Sequence, residues 1–153
     1  VSLATLDHIV MVHGDNAWGA PTLRGLFEHV GDADLVIGYT RDMWRSRSLA
    51  RTAISKAFTF TVNLITRRRL RYYNGLQIHP AAILQSLEIE SAGFGFQAEV
   101  LAKSLRRTKT LIEVPMELTE RAHGESKAFR VKNAIDVLRT LRLLCTLEWT
   151  AAK

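Results

Sequence analysis

An α/β fold in a single domain is predicted by three features of this chain. Short apolar runs rich in β-branched residues recur at Asp7–Val12, Asp34–Gly38 and Thr110–Val114, and such runs read as buried parallel strands. Stretches with helical spacing separate and follow them. A length of 153 residues fits one domain and is enough to bury a real core.

The elements follow in order. After the first strand the chain runs straight into His13-Gly14-Asp15-Asn16. Thr22–Val30 reads as a short helix behind Pro21, closed by Gly31. Asp34–Gly38 is the second strand, and Arg41–Arg47 a cationic loop that holds Met43 and Trp44. Ser48–Thr66 has helical spacing, with Leu49, Ala53, Ala57, Phe60 and Leu64 on one face and Phe58 and Val62 on another. A helix apolar on two sides is either sandwiched within the protein or lies against a membrane. Asn74-Gly75 signals a turn, Pro80 opens a helix over Ala81–Leu87, and Phe96–Leu105 forms another helix. The third strand, Thr110–Val114, precedes an amphipathic C-terminal helix within 128–148. Its apolar face carries Val131, Ile135, Leu138, Leu141 and Cys145 and either packs on the sheet or lies beside a membrane.

Composition narrows the function. Hydrophobic residues make up 47% and charged residues 24%, as in ordinary globular proteins, and no apolar run approaches the ~20 residues of a membrane span. The single Cys145 forms no internal disulfide, which points to a reducing compartment and a cytoplasmic location. The net charge of +6 and a pI near 9.9 favour anionic partners: nucleotide diphosphates, lipid phosphates or an acidic membrane surface. No motif with interleaved aromatics marks a nucleic-acid site, so no nucleic acid is expected.

Two loops carry the chemistry. Arg121–Lys127, R-A-H-G-E-S-K, sets two cations and a hydroxyl around Gly124, after a strand and before a long helix. Arginine offers phosphate a planar fork of donors, lysine a compact charge, and glycine a close backbone approach. By composition alone the same stretch is a solvated charged loop; the order of elements favours polyphosphate. Asp15 follows a strand's carboxyl end, where open α/β sheets bind ligands. Its alternative role is to cap the helix near Pro21, though it lies far upstream for that. Arg51 and Ser55, four apart on one helix, both face one direction.

Together these motifs resemble the family 2 glycosyltransferases, especially the polyprenyl-phosphate sugar synthases. E-V-P-M-x-x-x-x-R-x-x-G-x-S-K, from Glu113 to Lys127, is similar to the family's closing motif. The resemblance implies that Arg121, Ser126 and Lys127 bind the donor diphosphate. His13-Gly14-Asp15 resembles the family's D-x-D metal motif, with His13 in place of the first aspartate. Asp15 would then hold a magnesium or manganese ion against the diphosphate, and Gln97 and His13 would be further ligands. Gly93–Glu99 resembles the family's G-x-x-F-x-x-E helix start, in which Glu99 contacts the acceptor. Tyr72–Ile78 resembles the segment shaping the acceptor side, with Asn74 and Gly75 in its loop. Arg51 and Ser55 resemble the lipid-phosphate site.

The implied fold is a partial GT-A (Rossmann-like) domain, the later portion of a glycosyltransferase catalytic domain without its nucleotide-binding half. The implied reaction is metal-dependent inverting transfer from a nucleotide sugar to a polyprenyl-phosphate-type acceptor at the inner membrane face. A phosphate acceptor needs no base, whereas a sugar hydroxyl requires one such as Glu99. The competing expectation is a fragment or binding module that keeps the fold without turnover and self-associates through its exposed sheet.

Overall fold

The computed structural model describes residues 1–12, 18–41, 49–117 and 131–149. Its elements are β1 (His8–Val10), α1 (Ala20–Phe27), β2 (Leu35–Thr40), α2 (Leu49–Thr66), β3 (Gln77–Pro80), α3 (Ala81–Gln85), α4 (Phe96–Leu105), β4 (Leu111–Met116) and α5 (Val131–Thr146). A single 3-10 turn, Gly93–Gly95, leads into α4. Pro21 stands in the first turn of α1 and Pro80 immediately before α3, the helix-opening positions at which a missing N–H costs nothing.

The strands form one mixed sheet in the order β1-β3-β2-β4. β2 and β4 pair in parallel from Leu35 opposite Leu111 to Thr40 opposite Met116. β3 lies antiparallel between β1 and β2, with Val10 opposite Ile78 and Val36 opposite Ile78 on its two sides. The expected first strand is therefore corrected. It runs in the same direction as β2 and β4, but it pairs antiparallel with an inserted strand and is half-buried at the sheet edge. β3 itself was expected to be loop and helix start. Its Gln77-Ile78-His79 alternation buries two polar side chains, so it lacks the apolar signature of a strand.

Period-two alternation divides the sheet's side chains between two cores. On one face Val36, Ile78, Leu76 and Met116 pack with Trp18 and Leu26. On the other, Leu35 and Ile37 pack with Val62, Leu70, Tyr73, Ala98, Leu101, Leu105 and Leu144. Helices α2, α4 and α5 cover this second face, and α5 packs against α2 and α4. The C-terminal helix packs through Thr140, Leu141, Leu144 and Leu147, which corrects the expected apolar face: Ile135, Leu138 and Cys145 are exposed.

Side chains fix the path from α2 back to the sheet. Asn63 donates from Nδ2 to the Leu70 carbonyl at 2.8 Å and accepts from the Leu70 N–H at 2.9 Å. The Tyr73 hydroxyl donates to Asn63 Oδ1 at 2.9 Å and meets Thr66 Oγ1 at 3.0 Å. Burial pushes the Tyr73 phenol up to about 12, so it stays a neutral donor. This clamp delivers Asn74 and Gly75 to the sheet edge.

A buried histidine ties β3 to α4. His79 Nε2 lies 3.1 Å from Gln77 Oε1, and Nδ1 lies 3.0 Å from Ser104 Oγ. The amide oxygen only accepts, so Nε2 carries the proton and Nδ1 accepts from the serine. Burial lowers the His79 pKa to about 4 from an ordinary 6.5. Between those values the unfolded chain binds a proton that the folded chain refuses. The stability His79 confers is therefore complete above pH 6.5 and is lost as pH falls toward 4. Urea unfolding at pH 7 and pH 5 is expected to differ by about 2 kcal/mol through this group. His79→Gln should flatten the dependence, and an unchanged slope would contradict this assignment.

Candidate active site at the carboxyl edge of the sheet

The carboxyl ends of β1, β2 and β4 and the amino end of β3 meet at one edge of the sheet. The edge is closed tightly around Gly75. The Gly38 N–H donates to the Leu76 carbonyl at 2.8 Å, and a Cβ on Gly75 would stand 2.0 Å from the Gly38 carbonyl oxygen. The close approach that requires glycine here is therefore to the backbone of β2. Gln97, in the first turn of α4, reaches the same loop, with Nε2 donating to the Gly75 carbonyl at 3.4 Å.

Several buried polar atoms find no partner among the described residues. Trp18 Nε1, Thr40 Oγ1, Thr52 Oγ1 and Asn74 Oδ1 are buried without a hydrogen-bond partner. Thr40 ends β2, Asn74 leads into β3, Thr52 lies in the first turns of α2, and Trp18 precedes α1. Most buried polar groups are paired, so each orphan calls for an explanation, and a polar ligand at this edge would supply one. Trp18, Thr40 and Thr52 escaped the sequence reading, because a lone tryptophan or threonine carries no motif.

Arg51 and Ser55 stand one turn apart on α2, both half-buried, on either side of Thr52. Arg71 lies across the Tyr39 ring with its guanidinium carbon 4.5 Å from the centroid. The Arg71 backbone N–H donates to Glu113 Oε1 at 2.7 Å, which links the approach to β3 with β4.

Glu99 has a different geometry from the expected acceptor-side base. Its side chain is fully buried. Its carboxylate accepts from the Glu90 and Ser91 N–H groups at 3.0 and 2.6 Å and pairs with Lys103 Nζ at 2.6 Å. Burial opposes its ionisation, but the donors from Lys103, Ser91 and Glu90 outweigh it and hold the pKa below the ordinary carboxylate value. A lowered pKa and full occupancy suit a structural anchor for the 88–91 segment and oppose proton abstraction at neutral pH.

The glycines before α4 act on packing. Gly93 has φ +74°, and a Cβ on Gly95 would meet Thr140 Oγ1 of α5 at 1.9 Å. The Gly93-Phe94-Gly95 turn thus lets α5 close over the start of α4. A groove of about 720 Å³ opens beside β1, between Ile9, Met11, Gln77, His79, Phe96 and Gln97.

His13, Asp15, Arg121, Ser126 and Lys127 lie outside the described residues. Among the described residues no group of three His, Cys, Asp or Glu side chains converges to hold a metal.

No family model matches the chain. It is 31% identical over 128 residues to an undecaprenyl-phosphate mannosyltransferase of Micrococcus luteus, a match that covers 79% of this chain and 53% of that protein. Its fold is similar to that of glucosyl-3-phosphoglycerate synthase from Mycobacterium tuberculosis. The complex with Mn2+, UDP and glucosyl-3-phosphoglycerate matches with a TM-score of 0.62 at 18% identity, over 95% of this chain and 52% of that one. The complex with Mg2+ and UDP matches with a TM-score of 0.62 at 18% identity, over 95% and 51%. The chain spans about half the length of the curated relative it matches.

Proposed function

For a chain related in sequence to the family 2 glycosyltransferases and folded as part of a GT-A domain, we propose metal-dependent inverting transfer of a sugar from a nucleotide sugar to a polyprenyl phosphate. The observation that carries this reading is the 31% identity to an undecaprenyl-phosphate mannosyltransferase over 79% of the chain, with Arg51 and Ser55 half-buried one turn apart on α2. The engagement of the Glu99 carboxylate favours a phosphate acceptor over a sugar hydroxyl, because a phosphate needs no base. Its second pKa is ~6, so the attacking oxygen is already largely ionised at neutral pH.

Arg51 and Ser55 orient the acceptor phosphate, and Asn74 and Gly75 shape the floor beneath it. The phosphate oxygen bonds to the anomeric carbon from one side as the bond to the nucleoside diphosphate breaks on the other, which inverts the centre. The leaving diphosphate keeps the bonding electrons, and Arg121, Ser126 and Lys127 receive its charge. Asp15, with Gln97 and His13, would hold a magnesium or manganese ion, which supplies further neutralisation of that diphosphate. The acceptor arrives from the cytoplasmic face of a membrane.

Manganese-dependent binding of a nucleoside diphosphate tests the donor side. Charge-assisted contacts are typically worth ~1.5–3 kcal/mol, so Asp15→Ala and Arg121→Ala are each expected to weaken binding roughly ten- to hundredfold. Equal affinity of wild type and Asp15→Ala, measured by calorimetry, would remove the metal from Asp15.

A further inference from the structure

The end of the sheet opposite the candidate site gathers cations. Gln97 starts α4 beside Gly75, and the ten residues of α4 carry the chain about 15 Å away from that edge. There Arg68 Nη2 donates to the Leu105 carbonyl at 3.2 Å, so the close of α2 meets the close of α4. The start of β4 adjoins them, where the Leu35 N–H donates to the Thr110 carbonyl at 3.2 Å. Arg67, Arg69, Arg106, Arg107 and Lys109 are all exposed at this pole.

Helix capping accounts for part of the charge. Unpaired carbonyls at a helix C-terminus attract cations, and Arg68 serves that purpose directly. Arg107 is engaged as well, with Nη1 donating to the Ser86 carbonyl at 3.1 Å. Arg67, Arg69, Arg106 and Lys109 exceed what capping needs, and none of them forms an ion pair among the described residues. Arg106 lies over the Trp149 ring, 5.6 Å from its centroid. Two acids share the pole. The Asp34 carboxylate is occupied, accepting from the Lys109 and Thr110 N–H groups at 2.7 and 2.9 Å, and Glu148 is exposed beside Trp149.

The backbone of Arg67 is an independent sign. Among the described residues it alone, outside glycine, has a positive φ, at 54°. It follows the last residue of α2, and the next N–H, of Arg68, reaches back to the Asn63 carbonyl at 3.1 Å. Glycine is the usual occupant of that left-handed position, and a larger side chain there is strained. Strain retained to present a cation points to function rather than to stability.

We infer that this pole is a docking surface for an acidic polypeptide segment of a partner protein, held by Arg67, Arg69, Arg106 and Lys109. Clustered arginines recognise carboxylates through paired donors. Among residues 67–69, 105–111 and 147–149 no large hydrophobic side chain is exposed, so the pole offers nothing to insert into a bilayer. Its aromatic ring, Trp149, is half-buried and stacked by Arg106, which leaves no open platform for a nucleic-acid base. The pole faces away from the candidate site, so docking and sugar transfer are separable.

Fluorescence anisotropy of a labelled octaglutamate peptide, titrated with the 153-residue chain, is the experiment. Phosphatidylglycerol vesicles and a double-stranded DNA oligonucleotide are the parallel probes. Wild type is expected to bind the peptide at low salt and to release it at high salt. Arg69→Gln with Lys109→Gln should lower its affinity roughly tenfold. Arg24→Gln with Arg139→Gln removes the same charge from exposed sites on α1 and α5 and should lower it less than about threefold. Arg67→Gly should weaken binding several-fold while raising the melting temperature by roughly 2–4 °C, because it releases the strain. All the substituted side chains are exposed, so circular dichroism should match wild type. A wild type that ignores the peptide, or equal losses in the two double variants, would overturn the inference. So would vesicle or DNA binding that the Arg69→Gln/Lys109→Gln variant loses while its peptide binding persists, since the occupant would then be of another class.

Discussion

Glu99→Ala is expected to destabilise the protein by about 3–5 kcal/mol, because it breaks a buried ion pair from one side. The lost carboxylate leaves Lys103 Nζ, whose side chain is only 11% exposed, with the Glu88 carbonyl and the outlying Glu90 carboxylate. It also strips the Glu90 and Ser91 N–H groups of their acceptor. Glu99→Gln keeps the shape but not the charge and should cost less. Replacing both partners, as Glu99→Met with Lys103→Met, should cost less than Glu99→Ala, since no buried charge is stranded. The pH dependence runs in a fixed direction. The folded carboxyl lies below its ordinary 4.5, so the stability it confers is present above the unfolded value and is lost as pH falls through the folded one. Equilibrium urea unfolding checks each variant, and a Glu99→Ala cost under about 1 kcal/mol would contradict the anchoring role.

Gly75→Ala is expected to cost about 2–3 kcal/mol or more, the range of overpacked cores. The added Cβ would stand 2.0 Å from the Gly38 carbonyl oxygen, and that oxygen belongs to the backbone of a central strand, which cannot rotate aside as a side chain does. Relief requires loop and strand to separate, which strains the Gly38–Leu76 hydrogen bond and moves Asn74 at the candidate site. Gly25→Ala is the matched control. It sits inside α1, a Cβ there meets nothing within 4 Å, and the change should stabilise by roughly 0.5–1 kcal/mol. Thermal melts of the two variants should move in opposite directions. A Gly75→Ala melt equal to wild type would show that the edge is looser than described.

The two parallel strands, β2 and β4, were legible because both are continuous apolar runs, and helix α2 was legible from its spacing. Pro80 announced α3 for the plain reason that proline suits a helix start. β3 was not legible. A strand whose buried face holds Gln77 and His79 depends on partners at Ser104 and Tyr73, which sequence order does not reveal. The same gap hid the antiparallel pairing of β1, since a strand's neighbours are a tertiary property. Glu99 and Lys103, four apart on a helix, look like a surface pair; only the return of the 88–91 segment buries them. At the candidate site, motif spacing singled out Asn74, Gly75 and Gln97, and in the fold Gln97 reaches the Gly75 carbonyl. It missed Trp18, Thr40 and Thr52, whose significance lies in what they fail to bond.

The central claim is tested most directly by sugar transfer to a lipid phosphate. The described residues include the acceptor-side candidates Arg51, Ser55, Asn74 and Gly75, and the chain spans about half the length of its Micrococcus luteus relative. Remote binding of a nucleobase and ribose positions a donor for reaction, so the test uses a chain of the relative's full length. Joined to the first half of its Micrococcus luteus relative, this chain should convert a nucleotide sugar and undecaprenyl phosphate into a lipid-linked sugar phosphate, with manganese or magnesium required. Asp15→Ala should abolish the product, and Arg51→Ala should reduce it while nucleotide binding persists. A folded, nucleotide-binding chimera that yields no lipid-linked sugar, or one whose product survives Asp15→Ala, would contradict the account.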